Sequence, residues 1–428
     1  MVGARNEDQH VAPMRTRLPF SALAHLALPA ALAALAPGSA GAAERTIKSL
    51  GSKVDAVSLA PLLARGELAL LQAPSGGVEQ VVVFGILDGP PERVFDVLMD
   101  VEHYPEFLKT VAETKVVRRG KEMLVYTWKL DVPLLSFAGT RMQRGRSPSL
   151  VEVRSPDGNF RGSAERWELL PIDGGKRTVA AFYRTLDVST GGLVIEALAK
   201  LEPSFGQALA VATTYVHLKG MQDRVANRKP PTPAPRTGPV PPLQRLALAD
   251  GEPDLTRLRP LLELGELALI ESHDDEALKQ VSMLAVVNAP RERVAAVVKA
   301  ADKYPEFMRN FAEQKTTPLA NGTFQLEWEL EVPFANLNGK SIMSLEPDGS
   351  IEILNTEGDI PRARFRWELI ADGPARTVAA QYAYTDIRKA SFFTKLLIER
   401  QPLFEHGVVI ASTTVALQAV KARAEGRR

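Results

Sequence analysis

The sequence predicts an α+β fold that occurs twice, each time as a curved antiparallel sheet wrapped around a long C-terminal helix. Three observations predict it. The chain repeats itself at a constant spacing, strands with alternating apolar and polar residues fill the middle of each repeat, and each repeat ends in a long helical segment. Such a sheet has one apolar face, which another element must cover.

The repeat is the first of these observations. The segment PLLARGELAL at 61–70 recurs as PLLELGELAL at 260–269, and Tyr-Pro-Glu-Phe at 104–107 recurs at 304–307. All four Trp fall into two pairs 200 residues apart, at 128 and 328 and at 167 and 367. Since solenoid repeats are only about 20–50 residues long, this spacing indicates that a whole domain is duplicated.

The duplication predicts a first copy over residues 44–228 and a second copy over 251–428, joined by a linker over 229–250. The linker has seven Pro in the fourteen residues from Lys229 to Pro242. Such a segment favours an extended polyproline spacer of about 3 Å per residue. We therefore expect two tethered domains that move relative to one another and fold independently.

Within each copy the elements follow one order. A β-rich run and a Gly-Pro-Pro turn lead into a helix over 92–99, whose apolar residues recur at helical intervals. About six antiparallel strands follow, separated by turns that include Ala138-Gly139 and Asp157-Gly158. Long terminal helices are predicted from Pro203 to about Val225 and from Pro402 to about Ala424.

The strand that holds the first Trp of each copy shows which face of the sheet is apolar. Its alternating apolar residues are Leu124, Tyr126, Trp128, Leu130 and Val132 in the first copy and Phe324, Leu326, Trp328, Leu330 and Val332 in the second. The terminal helix is the amphipathic element long enough to cover this face. Sheet and helix then enclose either a packed core or a cavity.

Composition excludes several classes of function. The 428 residues include 52 Lys+Arg, 51 Asp+Glu and no Cys. The balanced charge lacks the basic excess of a nucleic-acid-binding surface, so we expect no nucleic-acid partner. The absence of Cys excludes disulfides and thiol nucleophiles, and the six His show no metal-binding spacing. The sequence therefore predicts no cofactor and no metal.

Residues 1–43 predict a signal peptide. Arg15 and Arg17 precede a stretch rich in Leu and Ala, and small residues at 40–42 have the spacing that a signal peptidase cleaves. The alternative is a retained membrane anchor, although Pro and His interrupt the apolar run. We expect an exported protein, periplasmic or secreted, that begins near Ala43 or Glu44.

The motifs GPPERVFDVLMDVEHYPEFL and NAPRERVAAVVKAADKYPEFM, a later RWEL, and RTVAAFYRTLDV before a long helix resemble the START-like superfamily. That superfamily includes the polyketide cyclase/dehydrase and coenzyme Q-binding families and the helix-grip fold. The resemblance covers both copies, about 340 of the 428 residues. It implies a hydrophobic cavity between sheet and terminal helix that binds or carries lipids, quinones or polycyclic compounds, with a minority of members being enzymes.

Aromatic and acidic residues on the strands are the candidates for lining these cavities, with ordinary core packing as the alternative. They are Tyr126, Trp128, Glu165, Trp167 and Tyr183 in the first copy and Phe324, Trp328, Phe365, Trp367 and Tyr382 in the second.

Glu165 is the most informative of these, because Phe365 replaces it in the second copy. A carboxylate on an apolar face must be paired with a cation, protonated, or exposed to water in a cavity. Glu165 is therefore either a polar anchor or general base, or else an edge residue that reaches solvent. Arg161 and Arg166 are its nearest partners in sequence, and without a partner its pKa would rise.

Three Arg in the first copy, Arg141, Arg144 and Arg146, have no basic counterparts in the second. They form either a solvated strand face or a docking patch for an anionic membrane. His217 on the terminal helix is matched by Ala416, so the two copies do not share it as a ligand.

The sequence favours non-catalytic binding or transport of hydrophobic small molecules in two tethered cavities. A cyclase, dehydrase or isomerase with Glu165 as its acid or base, active in the first copy alone, is the main alternative. A tandem interaction module without a ligand is another. An enzyme would bring polar groups together inside the first copy, whereas an interaction module would expose apolar patches.

Overall fold

The architecture is that of a computed structural model. The residues it describes are 46–72, 80–132, 135–201, 205–229, 234, 236–249, 251–332, 335–388, 395, 398, 399, 401 and 403–427. These residues belong to one compact unit of the chain. The predicted signal peptide lies outside the described residues.

The first copy contains eight strands and five α-helices among the described residues. They are α1 (Ala60–Leu63), β1 (Glu67–Gln72), β2 (Gln80–Leu87), α2 (Pro91–Met99), α3 (Tyr104–Phe107), β3 (Val111–Arg119), β4 (Met123–Val132), β5 (Leu135–Arg146), β6 (Leu150–Gly158), β7 (Ala164–Ile172), β8 (Arg177–Thr185), α4 (Leu193–Leu201) and α5 (Phe205–Val225).

The second copy repeats this order. Its elements are α6 (Pro253–Leu262), β9 (Glu266–Ser272), β10 (Leu278–Val287), α7 (Arg291–Lys299), α8 (Tyr304–Phe307), β11 (Phe311–Pro318), β12 (Phe324–Val332), β13 (Ala335–Leu345), β14 (Ile351–Gly358), β15 (Ala363–Ala371), β16 (Thr377–Thr385) and α9 (Phe404–Ala424). The predicted α+β class and the long terminal helices, α5 and α9, are confirmed.

All sixteen strands join in one antiparallel sheet in the order β11-β12-β13-β14-β15-β16-β10-β9-β1-β2-β8-β7-β6-β5-β4-β3. The link between the copies is the pairing of β1 with β9. Four consecutive apolar residues at 68–71 make this possible, because a strand in the middle of a sheet is covered on both faces. The expectation of two freely moving tethered domains is therefore wrong.

The linker also differs from the prediction, because its described residues lie along the second copy. The Ala234 N–H donates to Asp275 at 3.2 Å, and Arg388 donates to the Ala234 carbonyl oxygen at 3.1 Å. Leu246 N–H donates to the Tyr382 hydroxyl at 3.2 Å. The bonds satisfy backbone groups that Pro-rich sequence cannot pair within itself, and they fix the linker to the strands.

The sheet has an inner face that carries the two terminal helices. α5 contacts β1, β2 and β8, α9 contacts β9, β10 and β16, and the helices contact each other. At that contact the Tyr215 hydroxyl lies 3.2 Å from Ser272 Oγ, and the Tyr215 ring stacks on His406 at 5.3 Å. The inner apolar core is therefore continuous between the two copies.

The outer face of the central strands is covered by a second apolar cluster. It is formed by the segments that precede β1 and β9, which contribute Leu59 and Leu62 in the first copy and Leu255 and Leu258 in the second. The central strands are thus covered by apolar residues on both faces of the sheet.

Gly139 and Gly158 allow β5 and β6 to approach each other closely in the first copy. The prediction of a turn at Ala138-Gly139 is wrong, because Gly139 lies inside β5 opposite Gly158 of β6. Gly158 has a φ of +74°, and a Cβ there would lie 2.3 Å from the Ala138 carbonyl oxygen. This close approach requires Gly, and the strand pairing shifts register just beyond it, between Thr140 and Met142.

Candidate functional site: a buried charge cluster in the first copy

Glu165 lies in the interior of the first copy, between sheet and terminal helix. It is on the face of β7 that also carries Trp167, and it sits directly opposite Arg184 of β8. Arg184 donates to Glu165 Oε1 at 2.9 Å, and Arg141 of β5 reaches the same oxygen at 3.2 Å. Glu165 is therefore a buried, doubly paired carboxylate, and the alternative of a solvated edge residue is wrong.

The partners of Glu165 differ from those nearest in sequence. Arg161 is exposed, and Arg166 bonds to Glu152 and Glu168 at 2.7 Å. Burial by itself would raise the pKa of Glu165, but the charges of Arg141 and Arg184 outweigh it and lower that pKa to about 2. Glu165 is consequently ionised at neutral pH.

His217 on α5 covers the ion pair from the helix side. Arg184 Nη2 lies 3.2 Å from His217 Nδ1. Because a guanidinium group only donates, Nδ1 accepts this hydrogen bond and the ring proton lies on Nε2. Burial lowers the pKa of His217 to about 3, so the ring is neutral. Its edge contacts the rings of Tyr104, Trp167 and Phe182, at centroid distances of 5.9, 5.5 and 5.2 Å.

Arg141 holds the opposite side of the ion pair. Its guanidinium carbon lies 5.1 Å from the centroid of the Trp128 ring, a cation–π arrangement. Its side chain is 19% exposed, whereas those of Glu165 and Arg184 are each 7% exposed. Solvent therefore reaches the ion pair from the side of Arg141.

We call Trp128, Arg141, Glu165, Arg184 and His217 the first-copy cluster. Four of its buried N–H groups have no hydrogen-bond partner: Trp128 Nε1, Arg141 Nε, Arg184 Nε and His217 Nε2. A buried donor without a partner typically destabilises the fold by about 1–3 kcal/mol. The first-copy cluster is thus rich in donors that an acceptor from outside the chain can satisfy.

The second copy lacks this arrangement. Ser341, Phe365, Ala383 and Ala416 stand where the first copy has Arg141, Glu165, Arg184 and His217. Trp328 Nε1 donates to Ser341 Oγ at 2.8 Å, so the Trp of the second copy is satisfied within the chain. The two interiors therefore differ in charge and in unsatisfied donors.

Most of the predicted lining residues lie on the inner face. In the first copy, Tyr126, Trp128 and Trp167 are in the inner core. In the second copy, Trp367 is in the inner core, and Phe324 and Phe365 pack against it. Trp328 lies in an adjoining apolar cluster. Trp167 stacks on Phe182 at 3.7 Å. In the first copy these aromatic residues surround the first-copy cluster. In the second copy they surround the uncharged residues at the equivalent positions.

Tyr183 and Tyr382 are exceptions, because both lie in the outer cluster. The Tyr183 hydroxyl donates to Glu168 at 2.9 Å and accepts from the Leu50 N–H at 3.3 Å. Their prediction as cavity residues is wrong, since each lies one residue from an inward-facing position and side chains alternate along a strand.

Arg141 does not belong to an exposed basic patch. Arg144 and Arg146 do reach solvent, with side chains 66% and 61% exposed, and they lie 3.9 and 3.6 Å from Glu122 and Glu152. Their charges are largely matched by these neighbours, so the solvated strand face is the interpretation that their contacts support.

Arg184 is a member of the cluster that was not predicted from the sequence. A usable signal was present, because Arg184 aligns with Ala383 just as Glu165 aligns with Phe365 and His217 with Ala416. Paired differences of opposite charge between two copies indicate residues in contact. Among the described residues no cluster of His, Asp and Glu could hold a metal ion, and no helix is long and apolar enough to cross a membrane.

The model of the family described as polyketide cyclase/dehydrase and lipid transport matches residues 87–204. No curated protein matches the sequence. Among solved structures, the di-domain ARO/CYC StfQ from the steffimycin biosynthetic pathway is 12% identical, with 81% of this chain and 98% of that chain covered and a TM-score of 0.29.

Two further structures match parts of the chain. A STAR-related lipid transfer protein from Xanthomonas axonopodis is 14% identical, covering 38% of this chain and 94% of that one with a TM-score of 0.30. A START superfamily protein from Mycobacterium smegmatis is 16% identical, covering 34% and 97% with a TM-score of 0.28. The predicted resemblance is thereby confirmed for the first copy, in which residues 87–204 match the family of polyketide cyclases/dehydrases and lipid transport proteins.

Proposed function

We propose that the protein binds hydrophobic small molecules that carry an oxygen acceptor, and that it does so in the first copy without catalysing a reaction on them. The observation that carries this proposal is the set of four unpaired buried donors beside an aromatic interior. An apolar site with a few convergent polar groups is the usual design of a small-molecule binding site. Lipid transport is also part of the family description.

The protonation states of the first-copy cluster argue for binding rather than proton transfer. Glu165 is ionised and already accepts from two guanidinium groups, and His217 is neutral with its acceptor nitrogen occupied by Arg184. A general base works best when its pKa lies near the working pH, and neither group meets that condition. The cluster is therefore built to donate hydrogen bonds to a bound oxygen.

A cyclase or dehydrase is the second candidate function, and one observation favours it. Preorganised donors in a buried site stabilise the negative oxygen of an enolate, so the same four N–H groups suit an aldol-type ring closure. Incubation with a poly-β-ketone substrate distinguishes the two, because an enzyme yields a cyclised product that is absent when Arg184→Ala replaces the wild-type protein.

For the second copy we propose a supporting role, with at most purely apolar ligands in its interior. Its inner face carries Phe365, Ala383 and Ala416 at the positions of the charged residues, and its β9 strand completes the sheet around β1. We also propose that the protein is exported, on the sequence pattern of residues 1–43 alone.

Native mass spectrometry of protein purified from its own host tests the binding function. A co-purified lipid, quinone or polycyclic molecule, lost in Arg184→Ala and retained in the exposed control Arg144→Ala, is the expected result. Wild-type protein without any bound molecule, and with no affinity for fluorescent lipids, would instead favour a tandem interaction module.

A further inference from the structure

The first-copy cluster carries more positive than negative charge. Arg141 and Arg184 contribute two guanidinium groups, and both approach a single carboxylate oxygen, Glu165 Oε1, at 3.2 and 2.9 Å. His217 is neutral, because burial lowers its pKa to about 3. Two positive charges against one negative charge leave the cluster with a net charge of +1.

The neighbouring groups do not cancel this charge. Tyr104 from α3 and Tyr126 from β4 face the cluster, and burial raises the pKa of both, so they are uncharged at neutral pH. Gln143 of β5 lies 3.3 Å from the Tyr126 hydroxyl and is also neutral. Among the described residues, Glu165 is the carboxylate paired with either guanidinium group.

An unmatched charge in the interior is unfavourable unless an opposite charge accompanies it. We propose that the ligand of the first copy is an anionic amphiphile, a molecule with an apolar body and a carboxylate or similar oxyanion head. This inference rests on the proposed binding function and narrows it to one chemical class. The anionic head lies against Arg141 and Arg184, and the apolar body lies among the aromatic residues of the inner face.

The unpaired donors of the cluster include charged groups, which suit an oxyanion head. A carboxylate has about four acceptor positions, and hydrogen bonds between ionised groups are roughly twice as strong as neutral ones. Two of the four unpaired N–H groups belong to guanidinium groups, at Arg141 Nε and Arg184 Nε. A neutral carbonyl accepts from the same donors but leaves the charge of the cluster unmatched.

The exposure of the cluster indicates how the head enters. Arg141 is its most exposed charged residue, at 19% of its side chain, and it stacks on Trp128. An anion therefore meets Arg141 first and reaches Arg184 behind it. Ser341 and Ala383 occupy these positions in the second copy, so the same positions offer no charge to an anion there.

The test compares two probes that differ by one charge, 11-(dansylamino)undecanoic acid and its methyl ester, by fluorescence titration of the full chain at pH 7. We expect the acid to bind at least about tenfold more tightly than the ester. The exposed control Arg144→Ser should keep this preference. The variant Arg141→Ser, Glu165→Phe, Arg184→Ala, His217→Ala should lose it, and these are residues with which the second copy already folds.

A further variant, Glu165→Gln, raises the cluster's charge and should increase the affinity for the acid relative to that for the ester. Equal binding of acid and ester to the wild type would overturn the anionic ligand and leave the binding function standing. If the fourfold variant keeps the preference, or if Glu165→Gln weakens acid binding relative to ester, the anion is not held by this cluster. If neither probe binds, the proposed function itself fails.

Discussion

Ala69 in β1 pairs with Ala268 in β9, and the two residues occupy equivalent positions in the two copies. The antiparallel strands are therefore related by a local two-fold axis at this pair. The same symmetry appears on either side, since Gly66 packs against the Ile270 carbonyl and Gly265 against the Leu71 carbonyl. The contact between the copies thus has the form of a self-complementary dimer interface within one chain.

Gly265→Ala should destabilise the protein by about 1–3 kcal/mol, the range typical of added atoms that force the backbone to shift. A Cβ at Gly265 would lie 2.1 Å from the Leu71 carbonyl oxygen, so β1 and β9 would have to separate. Urea unfolding measures the loss. The matched control is Gly120→Ala, where the nearest atom is 3.6 Å from the added Cβ and the change should stay within about 0.5 kcal/mol. Equal stability of both variants would contradict the importance of this pairing.

Residues 44–228 and 251–428, expressed separately, should each fold and then form dimers. Each copy has its own antiparallel strands and terminal helix, but separation exposes β1 or β9 as an unpaired edge. Because equivalent residues already pair in the full chain, two identical copies can pair in the same register. Circular dichroism and sedimentation equilibrium check this expectation. If both fragments are unfolded, the copies are not independent folding units. If both are folded but monomeric, the unpaired edge at β1 or β9 does not drive dimer formation.

Glu165→Phe alone should destabilise the protein by about 3–5 kcal/mol, because it leaves two buried guanidinium groups without a carboxylate. Glu165→Phe with Arg184→Ala should lose less than the sum of the two single changes, by roughly 0.5–3 kcal/mol, since the residues are in direct contact. A double-mutant cycle by urea unfolding gives this value. Strict additivity would mean that the ion pair contributes nothing to stability.

The contribution of two buried histidines to stability should fall as the pH drops below about 6.5. Burial lowers the pKa of His217 and of His406 to about 3, so between about pH 3 and 6.5 these two rings bind more protons in the unfolded chain than in the folded one. Each group contributes about 1.4 kcal/mol per pH unit in that window. Urea unfolding between pH 4.5 and 6.5 should show a shallower slope for His217→Gln than for the wild type. The exposed control His103→Gln should not make the slope shallower, because Asp100 raises the pKa of His103.

N-terminal sequencing of the protein from the exported fraction should find a chain that begins after Ala42 or Ala43. The prediction rests on the small residues at 40–42, whose spacing is typical of a signal peptidase cleavage site. An intact N-terminus recovered from the membrane fraction would favour a retained anchor instead.

Local pattern was sufficient to predict β2, α2, the six strands that follow and the terminal helix of the first copy, and the face on which Glu165 lies. It did not predict α1, β1 or α4. It was insufficient for Arg184, because Glu165 and Arg184 are brought together by the register of two strands, and register depends on tertiary packing. The same applies to Arg141, which was grouped with Arg144 although the two lie on opposite faces of β5.

One feature of the sequence does indicate that the two copies pack together, although the Pro-rich linker favours the opposite interpretation. The unbroken apolar run at 68–71 is typical of a strand buried on both faces, and such a strand needs neighbours on both sides. A linker that looks flexible by composition is fixed here by contacts with distant side chains such as Asp275 and Arg388. Those contacts join residues up to about 150 positions apart in the sequence. Local propensity therefore does not predict them.

The pairing of β1 with β9 also sets a waiting time during biosynthesis. β1 ends at Gln72 and β9 ends at Ser272, so the ribosome adds 200 residues between them. At roughly 5–20 residues per second this takes about 10–40 s, during which the nascent first copy has an open sheet edge next to its aromatic interior. A chaperone that shields strand edges would therefore raise the yield of folded protein. Slow codons before β9 would lengthen the exposure of the edge and lower that yield, whereas slow codons after β9 would not. Neither changes the stability of the finished molecule.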